Sequence, residues 1–385
     1  MLKSRACLFF LFLVLLVPGV SAQQSALIPS PPELGSRSYV LMDADSGRVL
    51  VERNAHEPMA PASLTKMMTA YIADREMAEG RLSYDEMVTV SEQAWRTGGS
   101  RMFVEVGTQV SVEDLMRGIV VQSGNDASVA LAEHIAGGES SFAEMMSQQA
   151  RQLGMENSNF TNATGLPDPD MYTTAYDMGL LSVAKIRHFP ESYDMYAERY
   201  FTYNDIRQPN RNRLLWRDQS VDGLKTGHTN DAGYCLAASA ERDGMRLVAV
   251  VMGASSDEAR TREVQQLLNY GFRYFETHRL FEAGEKILDS RVWSGAEDIV
   301  DLGLADDLYV TIPTGSRESL ESVVDMDAVL RAPIESGEVL GDLTLKLEGQ
   351  EVESRSLVAL HGVEEGGFFR RLWDAIKLFF MQLFS

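Results

Sequence analysis

The chain has 385 residues, of which 56 are acidic and 35 basic, and its formal net charge at pH 7 is −21. This charge argues against a nucleic-acid partner, because affinity for nucleic acid depends on clustered Lys and Arg side chains that neutralise phosphates. The six histidines show no metal-ligand spacing and the two cysteines form no cluster, so we expect neither a metal ion nor another cofactor.

The first 22 residues predict a secretory signal peptide. Lys3 and Arg5 precede an apolar run to Val17, and small residues lead to a cleavage position at Ala22. The apolar run is about a dozen residues long, short of the roughly 20 that a membrane-spanning helix needs. Because Cys7 would leave with the signal, the mature chain would hold a single cysteine and no internal disulfide. We therefore expect an exported protein.

Residues 23–279 carry the pattern of one α+β domain. Two apolar runs on either side of an Asp-Ser-Gly turn near its start indicate a β-hairpin, and apolar residues then recur every three or four positions from about 62 to 190, which is typical of helices. Strands are predicted between 221 and 252, followed by a helix over 258–278. Strands at both ends with helices between them predict a sheet that is assembled from non-consecutive segments.

The remaining residues predict a small domain and a tail. Short strand-like runs over 280–364, one pair of them joined at Glu348-Gly349, favour an all-β domain. Residues 365–385 predict an amphipathic helix that either lies on a membrane surface, which the bulky aromatic side chains favour, or docks on a protein core. Its apolar face comprises Phe369, Leu372, Trp373, Ile376, Phe379, Phe380, Leu383 and Phe384, and its polar face comprises Arg370, Arg371, Asp374, Lys377 and Gln382.

Two Ser-x-x-Lys pairs could each supply a nucleophile and its base. Ser63 and Lys66 lie where a helix is expected to begin, just after Pro61, so both would share one face of the first turn near the positive end of the helix. Ser182 and Lys185 lie in the middle of a helical pattern, where Lys185 would point to solvent. The first pair is therefore the better catalytic candidate.

Two polar elements follow the first pair in the sequence. Ser123 and Asn125 fall between two helical patterns, in a loop where both side chains can point the same way. Lys225, Thr226 and Gly227 fall on a glycine-flanked strand, where the backbone of a substrate could come close. The combination of Ser-x-x-Lys, Ser-x-Asn and Lys-Thr-Gly, in this order, is the set that penicillin-binding proteins share with class A β-lactamases.

The sequence resembles the low-molecular-mass penicillin-binding proteins that act as D-alanyl-D-alanine carboxypeptidases. The similarity covers nearly the whole mature chain and includes the blocks "SLTKMMTAYIA", "RGIVVQSGNDASVALAEHIAG", "FTYNDIRQPNRNRLLW", "VDGLKTGHTNDAGYCLAASA" and "LLNYGFRYFET". The resemblance implies a β-lactamase/transpeptidase-like fold with helices packed on an antiparallel sheet. It also implies peptidoglycan pentapeptide stems as substrate, β-lactams as covalent inhibitors, and a peripheral location on the periplasmic face of the bacterial inner membrane.

The resemblance also implies a role for each candidate residue. Ser63 would attack the peptide carbonyl, Lys66 would act as its base, and Ser123 would relay the proton to the leaving amine. The backbone N–H groups of Ser63 and His228 would form the oxyanion hole. Asn125 would hold the peptide amide, and Lys225 and Thr226, helped by Gly227 and by Arg260 or its neighbour Arg262, would bind the terminal carboxylate.

Three alternatives are less well supported. A class A β-lactamase would need a Glu-x-x-Leu-Asn segment, but Gln265 occupies the glutamate position before the chain's Leu268-Asn269 pair. An endopeptidase that cleaves peptide crosslinks would use the same site and differ only in substrate. A non-catalytic wall-binding protein would have no need for the complete set of polar residues.

Overall fold

The computed structural model describes residues 28–384. The predicted signal peptide lies outside the described residues. Within this range the α-helices are α1 (Thr65–Ala78), α2 (Glu92–Arg96), α3 (Val112–Arg117), α4 (Asn125–Ala136), α5 (Glu139–Gln152), α6 (Ala175–His188), α7 (Pro190–Tyr193), α8 (Leu214–Arg217), α9 (Asp257–Tyr274) and α10 (Phe368–Phe384). The strands are β1 (Ser38–Asp43), β2 (Val49–Arg53), β3 (Met87–Thr89), β4 (Gln109–Ser111), β5 (Tyr200–Tyr203), β6 (Ile206–Pro209), β7 (Val221–Thr229), β8 (Gly233–Arg242), β9 (Met245–Ala254), β10 (Phe275–Phe281), β11 (Leu288–Trp293), β12 (Ile299–Gly303), β13 (Leu308–Pro313), β14 (Leu320–Met326), β15 (Leu330–Arg331), β16 (Val339–Leu347) and β17 (Gln350–Ala359).

A five-stranded antiparallel sheet forms the centre of the first domain, with strand order β2-β1-β9-β8-β7. Strand β1 is buried along its whole length, because α9 covers one face of the sheet and the helical layer that contains α1 and α6 covers the other. Strand β1, the first in the sequence, therefore pairs with β9, the last strand in the sequence that joins this sheet. This pairing confirms the predicted α+β fold with a sheet of non-consecutive segments.

Helix α1 runs through the middle of the helical layer. It is buried nearly all round, and it packs against α4, α5 and α6. A helix covered on all sides has little freedom to shift. Its N-terminal end, which carries the first Ser-x-x-Lys pair, is therefore held firmly in place.

The second domain is all-β, as predicted, but it begins earlier than the pattern indicated. The predicted helix over 258–278 ends at Tyr274, and Phe275–Phe281 instead forms β10, which pairs with β13. Strand pairing thus overrides the helical spacing of this segment, and the expected boundary at 279/280 falls inside β10. The main sheet of this domain has the order β14-β16-β17-β12-β11-β15, and β16 and β17 are joined at Glu348-Gly349 as predicted.

Polar contacts fix the two domains against each other. The buried Asp43 carboxylate accepts a hydrogen bond from the Thr277 hydroxyl at 2.6 Å, and the Ser46 and Thr311 hydroxyls lie 2.6 Å apart. The Arg48 guanidinium donates to the carbonyl oxygen of Thr311. These bonds join the β1–β2 hairpin to β10 and β13.

The C-terminal helix α10 docks on the second domain through its polar edge. The Asp374 carboxylate accepts a hydrogen bond from the backbone N–H of Ser294 at 3.0 Å, and Arg370 forms an ion pair with Asp298 at 2.7 Å. The aromatic side chains point away, and Phe369 is 83% exposed. None of the helices within residues 28–384 is both long enough and apolar enough to cross a membrane.

Candidate active site

Ser63 lies in a single 3₁₀ turn, Ala62–Leu64, that leads directly into α1. Ala62 has a left-handed backbone with φ of 47°, a conformation that a residue with a side chain rarely adopts. Gly165 packs against this turn so closely that a Cβ atom there would lie 1.8 Å from the Ala62 carbonyl oxygen. The turn is therefore held between α1 and the loop that contains Gly165.

Lys66 is buried directly beside the Ser63 hydroxyl. Its Nζ atom lies 3.2 Å from Ser63 Oγ and donates a hydrogen bond to the Thr164 carbonyl oxygen at 2.5 Å. Burial, assisted by the positive charge of Arg211, lowers the pKa of Lys66 from 10.5 to about 7. A substantial fraction of Lys66 is therefore neutral near pH 7, and a neutral amine can accept the serine proton.

Ser123 and Asn125 lie on either side of Gly124, where a π-helical turn, Gly118–Gln122, ends and α4 begins; Asn125 is the first residue of α4. Ser123 has φ of 67°, and its hydroxyl oxygen is buried without a hydrogen-bond partner among the described residues. Such an unsatisfied hydroxyl normally has a reason to be there. The Asn125 amide nitrogen donates to the Gly98 carbonyl oxygen at 2.6 Å, which leaves the amide oxygen available as an acceptor.

Asp126 organises the loop above this pair, a role that the motif spacing gave no way to predict. Its buried carboxylate accepts hydrogen bonds from the backbone N–H groups of Met102, Phe103 and Val104, at 2.9, 2.9 and 3.2 Å. Its negative charge also opposes the lowering of the Lys66 pKa. The residue therefore shapes the site through the backbone and through its charge.

Strand β7 is the edge strand of the central sheet and brings Lys225, Thr226, Gly227 and His228 to the site. A Cβ atom at Gly227 would lie 3.1 Å from the backbone nitrogen of Ser63, so the missing side chain lets the strand approach the serine turn. Lys225 and Thr226 are buried, whereas the His228 ring is exposed and stacks on Tyr234 with ring centroids 4.0 Å apart.

Several positive charges converge on the site. Burial, reinforced by the charges of Lys66, Arg211 and Arg260, holds the pKa of Lys225 well below its usual value. Arg211 lies in the block "FTYNDIRQPNRNRLLW" but in none of the three catalytic motifs, so it was not identified from the sequence as a site residue. In a protein with a net charge of −21, this concentration of basic groups, in which Arg211 and Arg260 keep their charge, indicates an anionic ligand.

Arg260 holds β7 in place through hydrogen bonds to backbone carbonyl groups. Its guanidinium donates to the carbonyl oxygens of Gly227 at 2.8 Å and Cys235 at 3.1 Å, and it forms an ion pair with Asp257. The alternative residue, Arg262, has a side chain that is 58% exposed, with Glu263 as its nearest acidic neighbour at 4.0 Å. The structure therefore places Arg260, and not Arg262, against the strand that carries Gly227.

The second Ser-x-x-Lys pair does not form a dyad, and the prediction that Lys185 points to solvent is wrong. Lys185 is completely buried, forms an ion pair with Asp74, and donates to the Ser192 hydroxyl at 2.6 Å. The acidic partner on α1, more than 100 residues away in sequence, turns the lysine inward. The Ser182 hydroxyl donates to the Met178 carbonyl oxygen of its own helix at 2.6 Å.

These contacts define a class of enzyme. A serine hydroxyl beside a buried amine of lowered pKa, with a second hydroxyl and several cations around it, is suited to acyl transfer through a serine ester. Within residues 28–384 no group of three or more His, Cys, Asp or Glu side chains could hold a metal ion.

Comparisons with known proteins place the chain within this class. Residues 25–256 match the D-alanyl-D-alanine carboxypeptidase family, and residues 275–365 match the penicillin-binding protein 5 C-terminal domain. The chain is 42% identical over 393 aligned positions to D-alanyl-D-alanine carboxypeptidase DacA of Haemophilus influenzae, with 100% of both chains covered. It is 43% identical over 382 positions to DacC of Escherichia coli, with 97% of this chain and 95% of the relative covered.

A solved structure gives the same result. Penicillin binding protein 5 from Haemophilus influenzae superposes with a TM-score of 0.85 at 43% identity, covering 88% of this chain and 100% of that chain. The chain therefore belongs to the D-alanyl-D-alanine carboxypeptidase family and is a serine peptidase.

Proposed function

We propose that this protein removes the terminal D-alanine from peptidoglycan pentapeptide stems through an acyl-enzyme on Ser63. The observation that carries the proposal is the pairing of the Ser63 hydroxyl with Lys66, whose pKa is lowered to about 7 within a cluster of cations. The cluster suits the carboxylate at the end of the substrate, and the neutral amine suits activation of the serine.

The acylation step begins at Ser63. The Ser63 oxygen attacks the carbonyl carbon between the two terminal D-alanines while neutral Lys66 takes the hydroxyl proton. The carbonyl oxygen becomes an oxyanion held by the backbone N–H groups of Ser63 and His228. The close packing of Gly227 on the backbone nitrogen of Ser63 supports this pairing. Each donor of this kind typically contributes about 3 to 4 kcal/mol to the stabilisation of the transition state.

The leaving group departs with a proton supplied through Ser123. The C–N bond breaks, Lys66 returns its proton by way of the Ser123 hydroxyl to the amine, and free D-alanine leaves. The missing hydrogen-bond partner of Ser123 supports this role, since the hydroxyl is free to bind the amine. Water then attacks the Ser63 ester, which releases the shortened peptide and restores the serine.

The substrate would be held on both sides of the bond that breaks. The free amide oxygen of Asn125 accepts from a peptide N–H, and Lys225 with Thr226 binds the terminal carboxylate. Arg260 contributes positive charge and positions Gly227, because its guanidinium already donates to two backbone carbonyls. β-Lactams would acylate Ser63 by the same attack, as the name of the structural relative from Haemophilus influenzae suggests.

A direct assay separates this proposal from its alternatives. Purified protein should release D-alanine from a muropeptide pentapeptide faster than it cleaves a crosslinked dimer, and Ser63→Ala should do neither. Preferential cleavage of the crosslink would instead make the protein an endopeptidase. Rapid turnover of penicillin would make it a β-lactamase, and the absence of any covalent penicillin adduct would indicate a non-catalytic wall protein.

The exposed face of α10 supports attachment to a membrane surface. The helix is fixed to the second domain by Asp374 and Arg370, and its bulky apolar side chains are left outside, with Trp373 60% exposed. A helix docked on a protein core would show the opposite arrangement. Aromatic side chains beside Arg and Lys are suited to the membrane interface.

Removal of residues 367–385 tests this attachment. When lipid vesicles are sedimented in its presence, the truncated protein should stay in the supernatant. It should still release D-alanine from the substrate, because the active site lies in the other domain. A truncated protein that still sediments with the vesicles would show that α10 is not the anchor.

The cellular setting follows from these assignments. Residues 1–22 would direct export, residues 23–274 would form the catalytic domain, residues 275–364 would hold it away from the anchor, and residues 365–385 would bind the periplasmic face of the inner membrane. From this position the enzyme would act on peptidoglycan during cell-wall synthesis and influence cell shape. Fractionation of cells that express the full chain tests the location, which would be contradicted by recovery in the cytoplasm.

A further inference from the structure

An exposed surface made by Tyr200, Arg207 and Trp216 takes no part in the proposed chemistry, and we refer to it as the aromatic platform. Tyr200 is 45% exposed and Trp216 is 41% exposed, with their ring centroids 5.9 Å apart. The Arg207 guanidinium lies 3.8 Å above the centre of the Tyr200 ring. Tyr and Trp side chains are enriched at binding interfaces, because each has an apolar ring and a polar group.

The pairing of β5 with β6 builds the platform. Tyr200 lies opposite Pro209 and Thr202 opposite Arg207, so Tyr200 and Arg207 are diagonal neighbours on the same face. The alternating residues face inward, where Phe201 is buried and the Gln208 amide nitrogen donates to the Arg101 carbonyl oxygen at 3.1 Å. The hairpin is thus anchored on one face and exposes the platform on the other.

The platform lies near the active site along the chain. Strand β6 ends at Pro209, and two residues later Arg211 adds its charge to the environment of Lys66 and Lys225. The Asn212 amide nitrogen then donates to the Gly223 carbonyl oxygen at 2.8 Å, at the start of the strand that carries Lys225. A long ligand bound in the active site can therefore extend onto the platform.

The charge of the platform indicates an acidic ligand with flat apolar faces. Arg207 forms no ion pair with any residue in the part of the chain that the structure describes, although acidic residues are in large excess. The exposed Trp216 ring offers a face on which the apolar side of a sugar ring can stack, whereas the Tyr200 ring carries the Arg207 guanidinium on one face. A polymer of sugars that carries carboxylate groups matches both features.

We propose that the aromatic platform binds a glycan strand with acidic peptide stems, the polymer from which the scissile peptide projects. The sugar rings stack on Trp216, and a carboxylate of a stem pairs with Arg207. This inference rests on the proposed function for the identity of the substrate. The enzyme would then bind the polymer outside the catalytic cleft as well, and it would therefore favour intact peptidoglycan over short soluble peptides.

The test compares two substrates with the full-length protein. One is a short N-acylated peptide that ends in D-Ala-D-Ala and lacks both sugars and acidic stems, and the other is purified peptidoglycan sacculi rich in pentapeptides. Trp216→Ala and Arg207→Ala should each keep the wild-type kcat/KM on the short peptide. Each should bind sacculi about tenfold more weakly in sedimentation and release D-alanine from them correspondingly more slowly.

Controls make the outcome decisive. Trp373→Ala removes an exposed tryptophan from the other domain and should change neither sacculus binding nor the short-peptide rate. Equal losses on both substrates would overturn the platform and assign Trp216 and Arg207 to the fold or the catalytic cleft, and unchanged binding to sacculi would overturn it as well. If the wild-type protein failed to release D-alanine from the short peptide, the proposed function would fail instead, whatever the binding result.

Discussion

Replacement of Lys66 with methionine should stabilise the protein while it abolishes acylation. Lys66 is only 1% exposed, and its pKa falls from 10.5 to about 7, mainly because burial disfavours the charged amine. At about 1.4 kcal/mol for each pH unit, this shift costs the folded state about 5 kcal/mol at pH 7. Methionine has a similar shape and no charge to bury, so it removes this cost.

The expected gain is smaller than the full cost. Loss of the amine leaves the buried Thr164 carbonyl oxygen without its donor, which costs about 1 to 3 kcal/mol. The net increase in the free energy of unfolding is therefore about 2 to 4 kcal/mol at pH 7. Because the folded state keeps a lowered lysine pKa, the unfolded chain binds more protons between pH 7 and 10.5, so wild-type stability rises with pH in this window. Lys66→Met should show a smaller rise, which comes from the buried Lys185 and Lys225, because their pKa values are also lowered.

The second Ser-x-x-Lys pair provides a matched comparison. Lys185 is also fully buried, but it neutralises Asp74. Lys185→Met leaves the carboxylate buried without its partner and should lower the free energy of unfolding by about 3 to 5 kcal/mol. The same substitution in two buried lysines should therefore have opposite effects on stability.

Guanidinium denaturation at pH 7, followed by circular dichroism, measures both variants, and penicillin labelling measures acylation. If Lys66→Met were destabilised as strongly as Lys185→Met, burial of the Lys66 amine would not destabilise the folded protein. The explanation of the lowered Lys66 pKa by burial would then be wrong. Continued acylation of Lys66→Met would refute its role as the base.

Three further predictions concern the surroundings of the site. Ser182→Ala should leave kcat/KM for D-alanine release unchanged, because the hydroxyl only bonds within its own helix, and a large loss of activity would contradict this. Arg211→Met removes a positive charge beside Lys66, so the pKa of Lys66 should rise and the acid limb of the pH profile of penicillin acylation should move to higher pH; an unmoved limb would exclude this coupling. Gly165→Ala places a methyl group 1.8 Å from the Ala62 carbonyl oxygen at a φ of +79°, and it should cost about 3 kcal/mol or more in urea unfolding and slow acylation; a variant with wild-type stability would contradict the contact.

The sequence was informative wherever the signal was local. The hairpin turn at Glu348-Gly349 was predicted because local spacing and turn residues determine it. The start of α1 next to Ser63 was predicted because the serine follows Pro61.

Contacts between distant segments could not be read in this way. Lys185 was predicted to face solvent because Asp74, its partner, lies on another helix. Arg211 was missed for the same reason, because its contacts with the site come from distant segments. The choice between Arg260 and Arg262 also depended on the structure, in which the carbonyl oxygen of Gly227 accepts a hydrogen bond from Arg260. The end of α9 at Tyr274 depends on pairing with β13, a strand more than 30 residues later.

Mass spectrometry after treatment with penicillin tests the central claim most directly. The intact protein should gain the mass of one penicillin, and peptide mapping should place the adduct on the peptide that contains Ser63, while Ser63→Ala should remain unmodified. An adduct on the peptide that contains Ser182, or an unmodified wild-type protein, would contradict the assignment of Ser63 as the nucleophile.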